Sequence, residues 1–318
     1  WKKENSELGC NFVFTNFDHE IKNKLKNHFQ GKQNYLGSIF GETILFDRIN
    51  FFGECTYLKT FSFIFGSGIT FFKNFSSSIA VRNYSPYLHN FYGKPFHENS
   101  EMMNEFGICN VNCYKIKNFH ITLSGDYFFF PKPTHKVSTS QQGKEKILKI
   151  IYQFNKKDSL ALQIKDKTQK DVKGKILSDF FTIQLSGQKS IGNFSFLSQM
   201  VGSINNLKKG KGLGLLETLK YKLQNFDANI FLGTTFTNGT KIYLREPTMK
   251  FCGMKSKMFN IPMLLFGGIL GYKLKNNLSI EILYNFSYAY RDEKIGSGYD
   301  KVKKKFKNFI QMQMIYDF

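Results

Sequence analysis

The last ten residues read Phe309-Ile310-Gln311-Met312-Gln313-Met314-Ile315-Tyr316-Asp317-Phe318, and this stretch decides the predicted fold. Counting back from Phe318, every second residue as far as Ile310 is apolar or aromatic. Side chains of a β-strand alternate between two faces, so these residues share one face. An apolar stripe that ends in aromatic residues is typical of a strand that crosses a bilayer. The stretch therefore predicts a membrane-spanning β-strand.

The same period of two recurs upstream. Apolar or small residues alternate with polar ones in residues 119–127, 215–223, 227–236 and 278–288. Each segment has about 9 to 11 residues, the length that a tilted strand needs to cross a bilayer. Strands of soluble sheets are usually shorter, about five or six residues. A soluble β-sandwich would also alternate, so strand length and the terminal stretch together favour the membrane.

Polar stretches between these segments predict turns and loops. Short ones, which predict hairpin tips, are residues 155–158, 237–239 and 275–277. Long ones are residues 73–104, 131–144 and 291–307. Short turns opposite long loops are the usual asymmetry of outer-membrane barrels. We therefore predict one all-β domain over residues 1–318, a transmembrane antiparallel β-barrel of roughly 14 to 16 strands with long loops on one side.

The composition excludes several other classes of protein. The chain has 45 Lys+Arg against 24 Asp+Glu, a net charge of +21, with 36 Phe and 16 Tyr. A disordered basic tail would have few aromatic residues. A membrane-spanning helix needs about 20 apolar residues, and the best run, residues 261–272, is shorter and contains Pro262, Gly267 and Gly268. The surplus charge is open to two interpretations, a functional one and a bias of base composition.

The cysteines predict neither a disulfide framework nor a metal site. Cys109 and Cys113 lie on one predicted strand, which separates them by roughly 13 Å, about twice the distance that a disulfide allows. Zinc ligands with finger-like spacing do not follow them. We predict no cofactor and no metal.

The terminal strand resembles the last strand of bacterial outer-membrane proteins, which the barrel-assembly machinery recognises. Four further islands resemble a family of outer-membrane barrels whose full-length members commonly carry helix-hairpin-helix repeats ahead of the barrel. They are Tyr35-Leu36-Gly37-Ser38, Phe65-Gly66-Ser67-Gly68-Ile69, Ile242-Tyr243-Leu244-Arg245-Glu246-Pro247 and Ile295-Gly296-Ser297-Gly298-Tyr299-Asp300. Ser67 and Arg245 replace a Gln and a Tyr of the family motifs, and Glu105-Phe106-Gly107 stands where the family has Arg-Gly.

The resemblance implies roles for nine residues. Gly66 and Gly68 are expected to be backbone devices, a bulge or a close approach within a strand. Tyr243, Glu246 and Pro247 are expected to form a structured junction in which Glu246 pairs with an inward Arg or Lys, for barrel stability or for ligand binding. The remaining four belong to the final loop and strand: Gly296, Gly298, Tyr316 and Phe318. No helix-hairpin-helix repeat is visible in the chain, and because it starts at Trp1 we expect the N-terminal part of the precursor to be missing.

Two basic stretches invite functional interpretations. Lys208-Lys209-Gly210-Lys211-Gly212-Leu213-Gly214 lacks the spacing of a phosphate-binding loop and predicts a basic hairpin turn. The lysines of residues 301–307 suggest phosphate contacts, but we assign them to the loop before the final strand. His120 and Ser124 share a strand face, yet four residues apart on a strand is too far for a hydrogen bond. We assign no catalytic residue.

These observations predict a non-enzymatic protein of the bacterial outer membrane that acts as a channel, a transport component or an assembly partner. A lumen with surplus lysine would favour anions. The expected partners are outer-membrane lipid and lipopolysaccharide, the barrel-assembly machinery through the C-terminal strand, and other proteins. Two alternatives stay open: a membrane-embedded hydrolase, and a basic nucleic-acid-binding protein related to helix-hairpin-helix DNA-binding proteins, although nucleic acid is the less favoured partner of this chain.

Overall fold

The computed structural model of the chain describes residues 1–3, 5–22, 29–90, 96–98, 103–133, 137–250, 255–275, 277–291, 295 and 303–316. Over these residues the chain forms β-strands and no helix. In particular, no helix of this described part is long and apolar enough to cross a membrane.

The strands of the described residues are numbered in chain order. They are β1 (Lys2–Lys3), β2 (Ser6–Ile21), β3 (Gly31–Leu45), β4 (Ile49–Leu58), β5 (Thr60–Phe72), β6 (Phe75–Tyr84), β7 (Glu105–Ile116), β8 (Phe119–Phe130), β9 (Gln141–Gln153), β10 (Ser159–Asp171), β11 (Ile176–Ile191), β12 (Phe194–Asn205), β13 (Gly210–Lys222), β14 (Phe226–Asn238), β15 (Ile242–Glu246), β16 (Lys255–Phe259), β17 (Met263–Lys275), β18 (Leu278–Ala289) and β19 (Phe306–Tyr316).

In this part of the chain, all strands except β15 and β16 belong to one sheet of 17 strands, which includes the two-residue β1. The sixteen long strands confirm the predicted all-β class and strand number. Contacts group the chain into two compact units, unit 1 (residues 1–148 and 167–178) and unit 2 (residues 149–166 and 179–318). The interpretation as a single domain over residues 1–318 stays a prediction.

Each unit is a run of antiparallel neighbours. In unit 1, β2 to β8 each pair with the next strand along the chain. In unit 2, β11 to β14 do the same, β14 then pairs with β17, and β17 to β19 continue the run. The strands β15 and β16 pair only with each other in the described residues and form a separate hairpin.

Most long strands have an apolar exposed face, which we call the outer face, and an opposite inner face. In β19, Ile310, Met312 and Met314 are exposed on the outer face, whereas Ile315 is buried on the inner one. In β13, Leu213 and Leu215 are exposed while Leu216 and Thr218 are buried. Apolar side chains on the outer face and polar ones among the inner positions are the arrangement of a transmembrane barrel.

Several glycines lie directly opposite a phenylalanine on the neighbouring strand, and the ring covers the glycine. The pairs are Gly9 with Phe40, Gly53 with Phe65, Gly66 with Phe52, and Gly267 with Phe231. A Cβ atom built on any of these glycines would come within 2.5 Å of the ring. An aromatic ring laid over a glycine of the next strand helps to fix register. Gly66 is therefore closely approached by the Phe52 ring. At Gly68 the register is regular, without a bulge, and a Cβ atom built there would lie 3.8 Å from the nearest atom.

The structure corrects three predicted loop boundaries. The predicted insertion 73–104 contains a whole strand, β6, whose inner face is polar (Ser76, Ser78, Arg82) and therefore lowers its mean hydropathy. Strands β9 and β19 begin at Gln141 and Phe306, inside the predicted insertions 131–144 and 291–307.

The predicted tip 237–239 is also wrong. Thr237 and Asn238 end β14, and Gly239 begins the long connection to β17 that contains the β15–β16 hairpin. The composition of residues 237–239 resembles that of a hairpin tip because the chain does leave a strand at this point. By contrast, Lys208 and Lys209 lie in the turn between β12 and β13, which confirms the predicted basic hairpin turn.

Candidate functional site

A buried ion network lies on the inner face of unit 1. Arg82 of β6 donates through both Nη atoms to the carboxylate of Asp126 on β8, with each N–O distance 2.8 Å. Its Nε donates to Glu105 Oε1 of β7 at 2.6 Å. Arg82 and Glu105 are 1% and 0% exposed. A buried ion pair is stable only if its remaining donors and acceptors are also satisfied, and the planar guanidinium meets this condition here with three hydrogen bonds.

Gly107 makes this geometry possible. It lies directly opposite Arg82 in the β6–β7 ladder, between Arg82 and the strand that carries Asp126. A Cβ atom on Gly107 would lie 2.3 Å from Arg82 Cζ, so any other residue would displace the guanidinium. The absent side chain lets Arg82 cross the β7 backbone and reach β8.

A second ion group extends the network. Lys167 of β10 contacts the carboxylate of Glu98 and lies 3.5 Å from Glu145 Oε2 of β9. The Lys167 ammonium is also 5.2 Å from the centre of the Phe128 ring. We call these six charged residues the charged cluster: Arg82, Glu98, Glu105, Asp126, Glu145 and Lys167.

The charged cluster anchors the described part of the connection between β6 and β7, residues 85–90, 96–98 and 103–104, which we call the tethered segment. The backbone N–H of Glu98 donates to Glu105 Oε2 at 2.9 Å, and the Phe96 ring stacks 4.6 Å from Arg82 Cζ. Tyr84 donates to the Phe96 carbonyl at 3.0 Å. Burial raises the pKa of Glu98, an effect that Lys167 partly opposes. A connection that could extend into water is thus held on the inner face by charge.

Smaller contacts complete the attachment. Asn34 of β3 donates to the His89 carbonyl at 2.9 Å, and Ser62 of β5 accepts from the Ser85 N–H at the same distance. Leu88 and Met103 of the tethered segment are buried with Leu36 and Tyr84 in a small apolar cluster.

In unit 2 the β15–β16 hairpin, which we call the inward hairpin, is held by apolar packing. Ile242, Leu244 and Phe259 are buried against side chains of the sheet: Val201, Leu216, Phe231, Met263, Leu265 and Ala289. Val201, Leu216 and Phe231 lie on the inner faces of β12, β13 and β14. The hairpin therefore covers the inner face of its own unit.

The glycines of β13 make room for this hairpin. A Cβ atom on Gly214 would lie 2.7 Å from Ile242 Cγ2, and one on Gly212 would lie 2.8 Å from Thr240 Cγ2. The Gly-rich stretch that resembles a phosphate loop thus packs closely against the hairpin. This role was missed in the sequence because its partner lies about thirty residues further along the chain.

Of the residues implied by the family resemblance, three lie in or next to the inward hairpin. Glu246 lies 3.2 Å from Lys257 Nζ, a lysine of the same hairpin, and accepts from Asn285 Nδ2 of β18 at 2.9 Å. Tyr243 is 49% exposed, and Pro247 follows the end of β15. The hairpin also meets the sheet through the Arg245 N–H, which donates to Gln199 Oε1 at 3.0 Å.

The other implied residues are not gathered at this site. Gly66 and Gly68 lie in β5 of unit 1, and Tyr316 is exposed on the outer face at the end of β19. Gly296, Gly298 and Phe318 lie outside the described residues.

The sequence did not predict the charged cluster, and the segment Glu105-Phe106-Gly107 stood out only as a departure from the family motif. Both Glu105 and Gly107 belong to the site, and the arginine comes from β6. The sequence signal that could have predicted the cluster was the presence of Arg82 and Asp126 on the polar faces of two alternating strands, β6 and β8.

The inner faces of the two units carry different charge. In unit 1 acidic side chains (Glu7, Glu42, Glu54, Glu105, Asp126, Glu145 and Asp171) outnumber basic ones (Lys32, Arg82, Lys115 and Lys167). In unit 2 basic side chains (Lys149, Lys165, Lys220, Lys222, Lys273 and Lys307) outnumber Asp227 and Glu281. The expected surplus of lysine is therefore restricted to unit 2.

The site offers no constellation for hydrolysis or metal binding in the part of the chain that the structure describes. His120, Ser124 and Asp126 share the inner face of β8, but both carboxylate oxygens of Asp126 accept from Arg82. Among the described residues no group of three His, Cys, Asp or Glu side chains is placed to hold a metal ion. Cys109 and Cys113 are free thiols on β7.

Comparison with known proteins identifies the fold. No protein-family model and no curated protein matches the sequence. The structure is similar to OmpT (in-vitro folded), an outer membrane protein of Vibrio cholerae, over 99% of this chain and 98% of that one, with a TM-score of 0.50 and 11% identity. It also matches a bacterial polysaccharide outer membrane secretin (99% and 98% coverage, TM-score 0.42, 11% identity). A third match is the outer membrane transporter YddB from Escherichia coli (99% and 67% coverage, TM-score 0.47, 8% identity).

The similarity to OmpT shows the fold alone. This chain has the fold of a bacterial outer-membrane β-barrel, in agreement with the apolar outer face and the predicted location in the outer membrane.

Proposed function

We propose that the protein is a non-enzymatic outer-membrane channel for small polar solutes. The observation that carries this proposal is the fixation of two connections, the tethered segment and the inward hairpin, on the inner faces of their units. A polar inner face offers a hydrated path through a barrel, and segments held on that face limit the size of what passes.

The charges of the inner faces support a graded rather than a purely anionic selectivity. The acidic face of unit 1 attracts cations and the basic face of unit 2 attracts anions, by simple electrostatics. The tethered segment contributes the acidic Glu98 to unit 1, whereas the inward hairpin contributes Arg245 to unit 2, its Lys257 being paired with Glu246. We expect discrimination by size to exceed discrimination by sign of charge.

Conductance in planar bilayers tests the proposal. The purified protein is expected to form discrete steps, and replacing residues 241–260 by a short Gly-Ser linker is expected to raise the step size. Leu213→Ala is the control, because this side chain is exposed on the outer face of β13, away from the hydrated path. Absence of conductance in both the wild type and the linker variant would refute the channel.

We also propose that the barrel-assembly machinery recognises β19. Its exposed stripe of Ile310, Met312, Met314 and Tyr316 supports this assignment. Tyr316→Ala with deletion of Phe318 is expected to reduce the folded protein in the outer membrane, while leaving unassisted refolding into detergent intact. Gln311→Ala, on the other face of the same strand, is the control. Equal loss in assisted and unassisted folding would assign the stripe to stability instead.

A further inference from the structure

A groove of about 370 Å³ opens on unit 2, near the turn between β9 and β10. Its lining comes from this turn, the start of β10, and the facing parts of β11 and β12. The residues that matter most are Asp158, Leu160, Gly187, Lys189, Phe196 and Ser198. All of them belong to unit 2.

The groove exists because small residues face each other on the outer face. Gly187 of β11 lies directly opposite Ser198 of β12, between larger exposed neighbours such as Leu185 and Phe196. A Cβ atom on Gly187 would lie 3.7 Å from Leu160 Cδ1, an ordinary contact, so the space above Gly187 is open to a larger group. The walls are apolar, formed by Leu160 and Phe196, and they are continuous with the lipid-facing surface.

The rim of the groove is basic. Lys189 begins on the outer face of β11 and reaches the turn, where its Nζ lies 3.1 Å from Asp158 Oδ2. Its side chain is still 66% exposed. Asp158 also accepts from the Ser190 N–H at 2.8 Å and from Asn155 Nδ2 at 2.8 Å. With the exposed Lys156 and Lys157 in the same turn, the rim keeps a net positive charge.

The position of the rim fits the membrane boundary. At the same end of the neighbouring ladder, the rings of Phe194 and Tyr221 pack 4.6 Å apart. Aromatic side chains mark the interfaces of outer-membrane barrels, and the short turns of such barrels face the periplasm. Lysines near a strand end extend their ammonium groups toward headgroups while their stems cover apolar surface. The groove therefore runs from the headgroup level into the acyl region of the periplasmic leaflet.

We propose that this groove binds one glycerophospholipid with an anionic headgroup from the periplasmic leaflet. One acyl chain lies over Gly187 between Leu160 and Phe196, and the phosphate meets Lys189, the basic residue that lines the groove. Apolar walls below a basic rim match an acyl chain below a phosphate, and clusters of basic residues next to the membrane recognise anionic lipids. The site does not depend on the channel proposal, because it lies on the outer face.

Native mass spectrometry of the detergent-purified full chain tests the site, with phosphatidylglycerol and phosphatidylcholine added separately. The wild type is expected to retain one phosphatidylglycerol and to favour it over phosphatidylcholine by about fivefold, the factor that one basic group contributes near an anionic headgroup. Gly187→Leu fills the groove and is expected to abolish retention of both lipids. Gly202→Leu is the matched control: it adds the same side chain to the outer face of β12, where a Cβ atom meets nothing within 4 Å.

Lys189→Gln separates the headgroup from the acyl chain. We expect it to remove the preference for phosphatidylglycerol while one lipid of either kind is still retained. This variant keeps the proposal testable if Gly187→Leu does not fold, as judged by its heat-dependent gel mobility. Equal lipid retention in Gly187→Leu and Gly202→Leu would overturn the proposal, and so would an unchanged headgroup preference in Lys189→Gln.

Discussion

The two units hold a connection on their inner faces by opposite means. Unit 1 fixes the tethered segment with buried ions, centred on Arg82, Glu105 and Asp126. Unit 2 fixes the inward hairpin with apolar side chains, chiefly Ile242, Leu244 and Phe259. Ion pairs are directional and fail when one partner is lost, whereas apolar contacts are graded and depend on volume. The attachment in unit 1 should therefore be lost when a single ionic partner is removed, whereas the attachment in unit 2 should weaken in proportion to the apolar volume removed.

The largest expected effect comes from removing the arginine. Arg82→Met leaves Glu105 and Asp126 buried without their partner, which costs about 3 to 5 kcal/mol for a broken buried ion pair. The free energy of unfolding in detergent, from urea titration, is the measurement. Arg48→Met, at an exposed turn position, is the control. If Glu105→Gln and Asp126→Asn, added to Arg82→Met, restore most of the lost stability, then the cost lies in the unpaired carboxylates. Equal stability of Arg82→Met and Arg48→Met would refute the prediction.

The apolar attachment is expected to lose less. Leu244→Ala removes a fully buried side chain from the inward hairpin and should cost about 2 to 4 kcal/mol. This cost comes from lost apolar contacts and from the cavity that the substitution leaves. The measurement is urea titration, with Tyr243→Ala as the control in the same strand. A loss for Leu244→Ala no larger than that for Tyr243→Ala would contradict the apolar attachment.

Glycine substitutions sharpen the comparison at smaller cost. Gly107→Ala would place a Cβ atom 2.3 Å from Arg82 Cζ, and Gly214→Ala would place one 2.7 Å from Ile242 Cγ2. Overpacking typically costs about 1 to 3 kcal/mol. The rigid guanidinium has less freedom to move than a methyl group, so we expect Gly107→Ala to be the worse of the two. Gly125→Ala is the control, because a Cβ atom on this glycine would meet nothing within 4 Å. Its free energy of unfolding should match that of the wild type.

The difference between the two units also explains what the sequence could predict. Period-two alternation in β13, β18 and β19 predicted the strands and their outer faces, because a lipid-facing residue meets the same environment wherever it lies. The charged cluster depends on Arg82, Glu98 and Lys167, which are distant in sequence and meet only after the sheet forms. Likewise the prediction of a hairpin tip at residues 237–239 was wrong, because a polar turn and the start of the connection to the inward hairpin have the same local composition.

The smallest expected effect concerns pH and separates the two attachments by their chemistry. Burial raises the pKa of Glu98, so its charged form is less favourable in the folded chain than in the unfolded one. Stability linked to this group therefore increases as the pH falls through its folded pKa, and stops changing below the ordinary glutamate value of about 4.3. Glu98→Gln is neutral at every pH and lacks this dependence.

The stability of the wild type relative to Glu98→Gln should therefore rise as the pH is lowered from 7 toward 5. Urea titrations of both proteins across this range are the measurement. The buried hairpin side chains Ile242, Leu244 and Phe259 are not titratable, so the stability of Leu244→Ala relative to the wild type should stay constant over the same range. If the wild type instead loses stability against Glu98→Gln on acidification, then the attraction between Glu98 and Lys167 outweighs the cost of burying Glu98.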